Sequence, residues 1–184
     1  MKFWVSLIGY QLVWFAAVIG AEHGLAWPGI AGMLLYAACQ LVAARHYKAD
    51  LSLMATAIVL GLLVDGGMIR AGLASYGAAW PSAALAPAWI LALWATFAMT
   101  LTQSLRWLQT RLRLAVLLGA MGGPLAYLSA SRGWHVVSFV DPAWRGLLWV
   151  GIGWALATPV LAWLARRWSI DTAPTAISLQ GDAP

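Results

Sequence analysis

The sequence has very few charged residues for its length. Only 9% of its 184 residues are Asp, Glu, Lys or Arg, whereas 62% are hydrophobic. A soluble domain carries about 25% charged residues, so this chain cannot cover a water-facing surface with polar side chains. The composition predicts a polytopic membrane protein. The formal net charge of +5 does not indicate nucleic-acid binding, because Lys and Arg occur in short pairs beside apolar runs and not in a basic stripe.

Cysteine and histidine are equally scarce. Cys39 is the only cysteine, which excludes an intrachain disulfide and a thiolate metal cluster. The three histidines, His23, His46 and His135, do not form the closely spaced patterns of metal-dependent membrane enzymes. No Ser or Cys lies in a nucleophile motif. We therefore expect no metal site, and the sequence assigns neither a cofactor nor a catalytic residue.

Six apolar runs predict an all-α bundle of about six transmembrane helices. They cover residues 3–20, 25–44, 51–72, 87–105, 114–131 and 142–164, which together form a single domain over residues 1–168. Residues 169–184 are polar, contain proline and predict a flexible cytoplasmic tail. The side of the membrane on which both termini lie carries most of the positive charge, so this side is predicted to be cytoplasmic. Its Lys and Arg residues are Lys2, Arg45, Lys48, Arg106, Arg111, Arg113, Arg166 and Arg167, against Arg70, Arg132 and Arg145 on the other side.

The first apolar run has two interpretations. Val18 and Gly20 fit the small-residue positions before a signal-peptide cleavage site. The run is long, rich in aromatic residues and interrupted by Gln11, which favours a retained helix. Gln11 shares a helical face with Phe15 and is expected to point toward other helices, either as a hydrogen-bonding link or as a ligand contact.

One carboxylate interrupts the third run. Asp65 lies fourteen residues after Leu51, about 21 Å along the helix in a hydrocarbon slab about 30 Å thick, and hence in the outer half of the membrane. A carboxylate at such depth costs about 2.5–3.5 kcal/mol, so it is expected to face the bundle interior and to be functional. Gly66 and Gly67 leave space beside it. The structural alternative is a hydrogen bond from an indole or hydroxyl, or an ion pair with Arg70.

The fourth run carries polar and aromatic side chains at helical spacing. Thr96 and Thr100 share one face, where they either line a cavity or bond back to helix carbonyls. Trp89 and Trp94 bring indole N–H groups that need acceptors. Asp65, or a carbonyl exposed by a glycine, is a candidate acceptor.

The fifth run contains a row of small residues. Gly119 and Gly123 form a small-xxx-small pair, which lets another helix approach closely. Pro124 frees a carbonyl one turn earlier, near Tyr127. The candidate ligand-binding residues are then Asp65, Thr96, Thr100, Tyr127 and Gln11.

The connection at residues 71–86 is too broken for a helix and too apolar for a solvated loop. Tyr76 and Trp80 are expected at headgroup level as interfacial anchors. A lid over the region of Asp65 is the alternative. The six-helix topology also collects ionisable side chains at the outer face. This outer-face cluster consists of Glu22, His23, Arg70, Arg132 and His135.

Four parts of the chain together resemble the DUF2878 family of bacterial inner-membrane proteins. They are the segment PAWILALWATFAMTLTQSLRWL, the following GAMGGPLAY, the helix of Asp65 and the region Gln11–Trp14. The resemblance extends over nearly the whole chain before the tail. It implies a multi-pass protein of the bacterial inner membrane with no established activity. It also implies an association with lipid-modifying enzymes, namely cyclopropane-fatty-acid-synthase-like methyltransferases and flavin oxidoreductases.

Two function classes remain open. A non-enzymatic component would bind or transport a lipid or small hydrophobic ligand, or hold lipid-modifying enzymes at the bilayer, in connection with membrane-lipid modification or oxidative stress. An integral-membrane lipid enzyme would use Asp65 with His23 or His135 as acid and base. The scarcity of catalytic motifs favours the first class.

Overall fold

The computed structural model describes residues 2–42 and 47–171. Within these ranges the chain forms the helices α1 (Lys2–Glu22), α2 (Trp27–Val42), α3 (Tyr47–Arg70), α4 (Ala88–Thr100), α5 (Leu112–Trp134) and α6 (Trp144–Asp171). A 3-10 helix (Arg106–Thr110) precedes α5, and two short strands, β1 (Ala74–Tyr76) and β2 (Val137–Phe139), lie in the connections. The prediction of an all-α fold with six helices is confirmed.

Four of these helices, α1, α3, α5 and α6, are long and apolar enough to cross a membrane. The other two are shorter than the roughly 20 residues that a hydrocarbon core requires, with 16 residues in α2 and 13 in α4. α6 continues to Asp171, so the first three residues of the predicted tail belong to this helix. The remainder of that tail and part of the predicted turn at residues 43–46 lie outside the described residues.

The short helix α4 lies at the centre of the bundle and packs against α1, α2 and α3. All residues at positions 92–100 are buried, as expected for a helix that is apolar on every side. The sequence predicted a helix to Leu105, but α4 ends at Thr100. The side-chain amide of Gln109 donates to the carbonyl of Leu101 at 2.8 Å and satisfies a backbone oxygen where the helix stops. Irregular backbone is tolerated at this depth because the protein surrounds it.

Small residues bring α5 and α6 into close contact. A Cβ atom on Gly119 would lie 2.2 Å from the carbonyl oxygen of Trp154, and one on Gly123 would lie 2.6 Å from the indole ring of the same residue. Any side chain at either position would push the two backbones apart. The predicted role of this glycine row is confirmed.

The two strands tie the α3–α4 connection to the α5–α6 connection. β1 and β2 pair antiparallel, with Ser75 opposite Ser138. Because side chains alternate along a strand, Ser75 points outward while Tyr76 is buried. The expectation that Tyr76 is an interfacial anchor is therefore wrong, whereas Trp80 is 61% exposed.

Candidate functional site

Asp65 is fully buried and accepts three hydrogen bonds from three different elements. The hydroxyl of Tyr127 on α5 donates to Oδ1 at 2.5 Å, and the hydroxyl of Tyr76 on β1 donates to the same oxygen at 2.6 Å. The indole N–H of Trp94 on α4 donates to Oδ2 at 2.7 Å. We call these four residues the Asp65 cluster. It joins α3, α4, α5 and the two-stranded sheet through one carboxylate.

Glycines on α3 make room for the aromatic rings around this carboxylate. A Cβ atom on Gly61, one turn before Asp65, would lie 2.6 Å from the ring of Trp94. A Cβ atom on Gly67 would lie 2.8 Å from the ring of Trp149, whose N–H donates to a backbone carbonyl of α3 at 2.8 Å. Beside Gly66 the nearest atom would be 4.0 Å away. Of the two glycines expected to leave space, Gly66 does so and Gly67 is filled by an indole.

The charge environment of Asp65 consists of neutral donors. Arg70 is exposed at the end of α3, and within the described residues Asp65 forms no ion pair. The interpretation of Asp65 as an acceptor for an indole and hydroxyls is confirmed, and the pairing with Arg70 is not formed. Burial, followed by the charge of Asp65, raises the pKa of Tyr76 well above the ordinary value of a tyrosine. Its hydroxyl therefore stays protonated and remains a donor.

A cavity of about 420 Å³ lies beside the Asp65 cluster, between α1, α4, α5 and α6. Its volume is within the range of small-molecule sites. Trp94 and Trp154 form one wall, with their rings stacked at 4.1 Å and inclined by 22°. The other aromatic lining residues are Tyr10, Trp14, Trp89, Phe97 and Tyr127.

The cavity opens sideways, on the flank of the bundle. Its exposed lining residues lie on two helices that contact each other little. They are Gln11 on α1, and Leu118, Gly122, Leu125 and Ser129 on α5. Because these positions are in the middle parts of their helices, the opening faces the zone that lipid chains occupy around a membrane-spanning bundle.

Two polar side chains in the wall have no hydrogen-bond partner among the described residues. They are the indole N–H of Trp154 and the hydroxyl of Thr158, one turn apart on α6. Thr158 is fully buried and Trp154 is 9% exposed. Leaving such groups unpaired costs about 1–3 kcal/mol each, which makes the Trp154–Thr158 pair exceptional in this core.

A second groove, of about 500 Å³, lies between α1 and α2. Its floor is formed by exposed apolar side chains, among them Val5, Leu12 and Leu35. These are typical of a lipid-facing surface. The groove contains neither of the two unpaired groups, so the cavity beside the Asp65 cluster is the better candidate site.

The structure brings three of the five predicted ligand-binding residues to this cavity, namely Gln11, Thr100 and Tyr127. Asp65 lies behind its partners and outside the lining. Thr96 is also outside the lining, and its hydroxyl donates to the carbonyl of Ala92 at 2.7 Å. The hydroxyl of Thr100 likewise donates to a carbonyl of its own helix, at 2.6 Å.

The residues of the outer-face cluster are all exposed at the end of the bundle that carries the sheet. No ion pair joins them within the part of the chain that the structure describes. His23 is hydrogen-bonded through Nδ1 to the carbonyl of Ile19 at 2.8 Å. Neither His23 nor His135 contacts Asp65 through a hydrogen bond, because two tyrosines and a tryptophan occupy the carboxylate. The acid–base pair expected for an enzyme is not assembled.

Sequence reasoning missed several residues of the site. Tyr76 was assigned to the interface, and Gly61 and the Trp154–Thr158 pair were not considered. A signal existed for some of them, because Gly61 precedes Asp65 by four residues and Trp154 precedes Thr158 by four, which places each pair on one helical face.

A sequence model of the family described as "Protein of unknown function (DUF2878)" matches residues 3–160 of the chain. This range includes every residue that lines the cavity, from Leu7 to Thr158, and all four residues of the Asp65 cluster. Comparisons with curated proteins and with solved structures give no match. Since the family model covers most of the chain, the protein belongs to the DUF2878 family.

Proposed function

We propose that the protein is a multi-pass inner-membrane component that binds a lipid chain or small hydrophobic molecule in the cavity between α1, α4, α5 and α6. The observation that carries this proposal is an internal, aromatic-walled cavity that opens on the flank of the bundle. A ligand dissolved in the bilayer reaches such an opening without crossing water. Binding requires no catalytic group, and the groups that bond to Asp65 are two tyrosines and a tryptophan.

Asp65 lies outside the cavity lining and fixes the position of two side chains in the cavity wall. Its carboxylate holds Tyr127 and Trp94, and both of these side chains form part of the cavity wall. Fixed aromatic walls reduce the entropy lost when a ligand binds, because the side chains are already ordered. Asp65 is thus a positioning residue for the cavity, and its substitution is expected to disturb ligand binding without removing a direct contact.

On the ground of the resemblance to the family, we propose that this binding function is linked to membrane-lipid modification or to the response to oxidative stress. Lipid-modifying enzymes are the protein partners that we propose on that ground. The ligand would then be a lipid or lipid-derived molecule from the same membrane. The outer-face cluster is outside this proposed role.

The binding function is tested with the protein in nanodiscs of a dialkyl-ether phosphatidylcholine. The probe is dibrominated octadecane, whose bromine atoms quench tryptophan fluorescence on contact. We expect quenching that saturates with probe concentration, because Trp94 and Trp154 line the cavity. Ala126→Phe, which fills the cavity beside Tyr127, is expected to leave only the linear quenching of lipid-facing indoles.

The matched control is Ala55→Phe, at an exposed position of α3 that lines neither cavity nor groove. It is expected to retain saturable quenching. Linear quenching in the unsubstituted protein, or saturable quenching that persists in Ala126→Phe, would show that the cavity takes up no such ligand.

The proposed orientation places both termini in the cytoplasm and is tested separately. Reporter fusions after Lys48, Arg113 and Arg167 are expected to give a cytoplasmic signal, because these positions follow the positively charged segments. Fusions near Tyr76 and Gly133 are expected to report the outer side. A cytoplasmic signal at Tyr76 contradicts this orientation.

A further inference from the structure

We propose that the Trp154–Thr158 pair binds the oxygen atom of a neutral carbonyl or ester group on the hydrophobic ligand. This inference rests on the proposed binding function and adds the chemical class of the group that is recognised. It would assign a polar end to the ligand and fix its direction in the cavity.

The two unpaired groups can both donate a hydrogen bond. An indole N–H is a donor only, and a threonine hydroxyl both donates and accepts. Because the two residues lie one turn apart on α6, we propose that one acceptor atom of the ligand satisfies both. A carbonyl oxygen, with two lone pairs, matches two donors that lie one helical turn apart.

The cavity that holds the two groups is lined by uncharged side chains. Its lining contains neither a Lys, Arg or His nor an Asp or Glu within the described residues. An anionic headgroup would find no countercharge there and would approach the carboxylate of Asp65 behind the wall. A cationic group would find that carboxylate already bonded by three donors. The site therefore favours an uncharged acceptor.

The residues that neighbour Trp154 and Thr158 do not supply the missing hydrogen bonds. The indole N–H of Trp154 is directed toward the hydroxyl oxygen of Tyr127, but the contact is too long or too bent to satisfy it as a hydrogen bond. The proton of that hydroxyl is donated to Asp65. The hydroxyl of Thr158 faces Gly119, which has no side chain and leaves it without a partner.

The test compares two probes of equal chain length in the same ether-lipid nanodiscs. One is the methyl ester of dibrominated stearic acid, and the other is dibrominated octadecane, which has no oxygen. Ether lipids carry no ester carbonyl and so do not compete for the pair. Because each of the two hydrogen bonds contributes about 0.5–1.5 kcal/mol, we expect the ester to bind roughly 5- to 150-fold more tightly than the alkane.

Two substitutions remove the donors: Thr158→Val, which keeps the shape of the side chain, and Trp154→Phe, which keeps an aromatic ring but shortens it. Because both residues also line the cavity, the readout is the ratio of the two affinities, and each substitution is expected to lower the preference for the ester over the alkane about three- to tenfold. The matched control is Thr96→Val, which removes an equally buried hydroxyl that is already bonded and lies outside the cavity. It is expected to retain the full preference for the ester.

The possible results separate this inference from the proposed function. Saturable binding of both probes with equal affinity would overturn the inference and leave the proposed function in place. An ester preference that survives the double substitution of Trp154 and Thr158 would also overturn it. Absence of saturable binding for both probes would contradict the proposed function itself and the inference with it.

A third probe distinguishes two sources of the carbonyl group. Phosphatidylcholine with brominated acyl chains presents ester oxygens within a membrane phospholipid, whereas the methyl ester is a free neutral lipid. Saturable quenching that is weakened about three- to tenfold in Thr158→Val supports the inference for either molecule, and quenching that this substitution leaves unchanged contradicts it. The molecule that binds more tightly identifies the source.

Discussion

The Asp65 cluster and the Trp154–Thr158 pair are two polar regions of one apolar core, and they differ in every respect except location. The first contains a carboxylate with three donors arranged around it. The second is neutral and has no partner within the described residues. They adjoin through the stacked rings of Trp94 and Trp154. A buried polar group that is fully paired holds helices together, whereas one left unpaired indicates where a further molecule completes the bonding.

The largest expected effect comes from breaking the paired region. Asp65→Ala removes the common acceptor of two hydroxyls and an indole and leaves all three buried without a partner. We expect a loss of about 3–6 kcal/mol in the free energy of unfolding, measured by thermal unfolding in detergent. Thr56→Ala, on the same helix and outside the cluster, is expected to change stability by less than about 0.5 kcal/mol. Unchanged thermal stability in Asp65→Ala would refute the structural importance of the cluster.

A smaller effect is expected at the glycine row that lets α5 pack closely against α6 beside Trp154 and Thr158. Gly119→Ala introduces a Cβ atom against the carbonyl of Trp154 and is expected to cost about 1–3 kcal/mol through overpacking. Gly122→Ala is the control on the same helix, because nothing lies within 4 Å of its Cβ position. Alanine there is expected to stabilise the helix by up to about 1 kcal/mol. Equal unfolding temperatures for the two variants would contradict the close approach of α5 and α6.

Single donors of the Asp65 cluster are expected to contribute less again. Tyr76→Phe and Tyr127→Phe each leave Oδ1 with one tyrosine donor, so each is expected to cost about 1–2 kcal/mol. The double substitution is expected to cost more than the sum, because it removes the last donor to that oxygen. Tyr47→Phe, at an exposed position, is the control for loss of a hydroxyl. Strict additivity in unfolding measurements would show that the two hydroxyls act independently.

The smallest effect is expected at the unpaired hydroxyl of Thr158. Thr158→Val removes a hydroxyl that forms no hydrogen bond, so the ligand-free protein is expected to keep its stability or gain up to about 1 kcal/mol. Thr96→Val removes a bonded hydroxyl at the same degree of burial and is expected to lose about 1 kcal/mol. Thermal unfolding of both variants without added ligand measures the difference. A destabilised Thr158→Val would mean that its hydroxyl is part of the structure.

Much of the Asp65 cluster could be predicted from local sequence. The cost of a carboxylate in hydrocarbon required that Asp65 face inward and accept hydrogen bonds, and the need of Trp94 for an acceptor suggested one partner. Tyr76 could not be predicted in the same way. Its inward direction depends on a strand of three residues that forms only by pairing with a strand more than sixty residues later. A segment this short carries no periodicity of its own.

The sequence does not predict that Trp154 and Thr158 lack a hydrogen-bond partner. Threonines in membrane helices usually donate to a carbonyl of their own helix, as Thr96 does. Whether Thr158 differs depends on how closely α5 and α6 approach and on what fills the remaining volume. The glycine row predicted the close approach correctly, but it did not predict the cavity that the same approach leaves open toward α1.

The three partners of Asp65 are made at different times during synthesis. They follow it by 11 residues for Tyr76, 29 for Trp94 and 62 for Tyr127. α3 is therefore synthesised with its carboxylate unpaired, at an insertion cost of about 2.5–3.5 kcal/mol, and the last donor arrives only with α5. α3 thus enters the membrane before the segments that carry its donors, and the carboxyl group of Asp65 depends on later parts of the chain for all three of its hydrogen bonds.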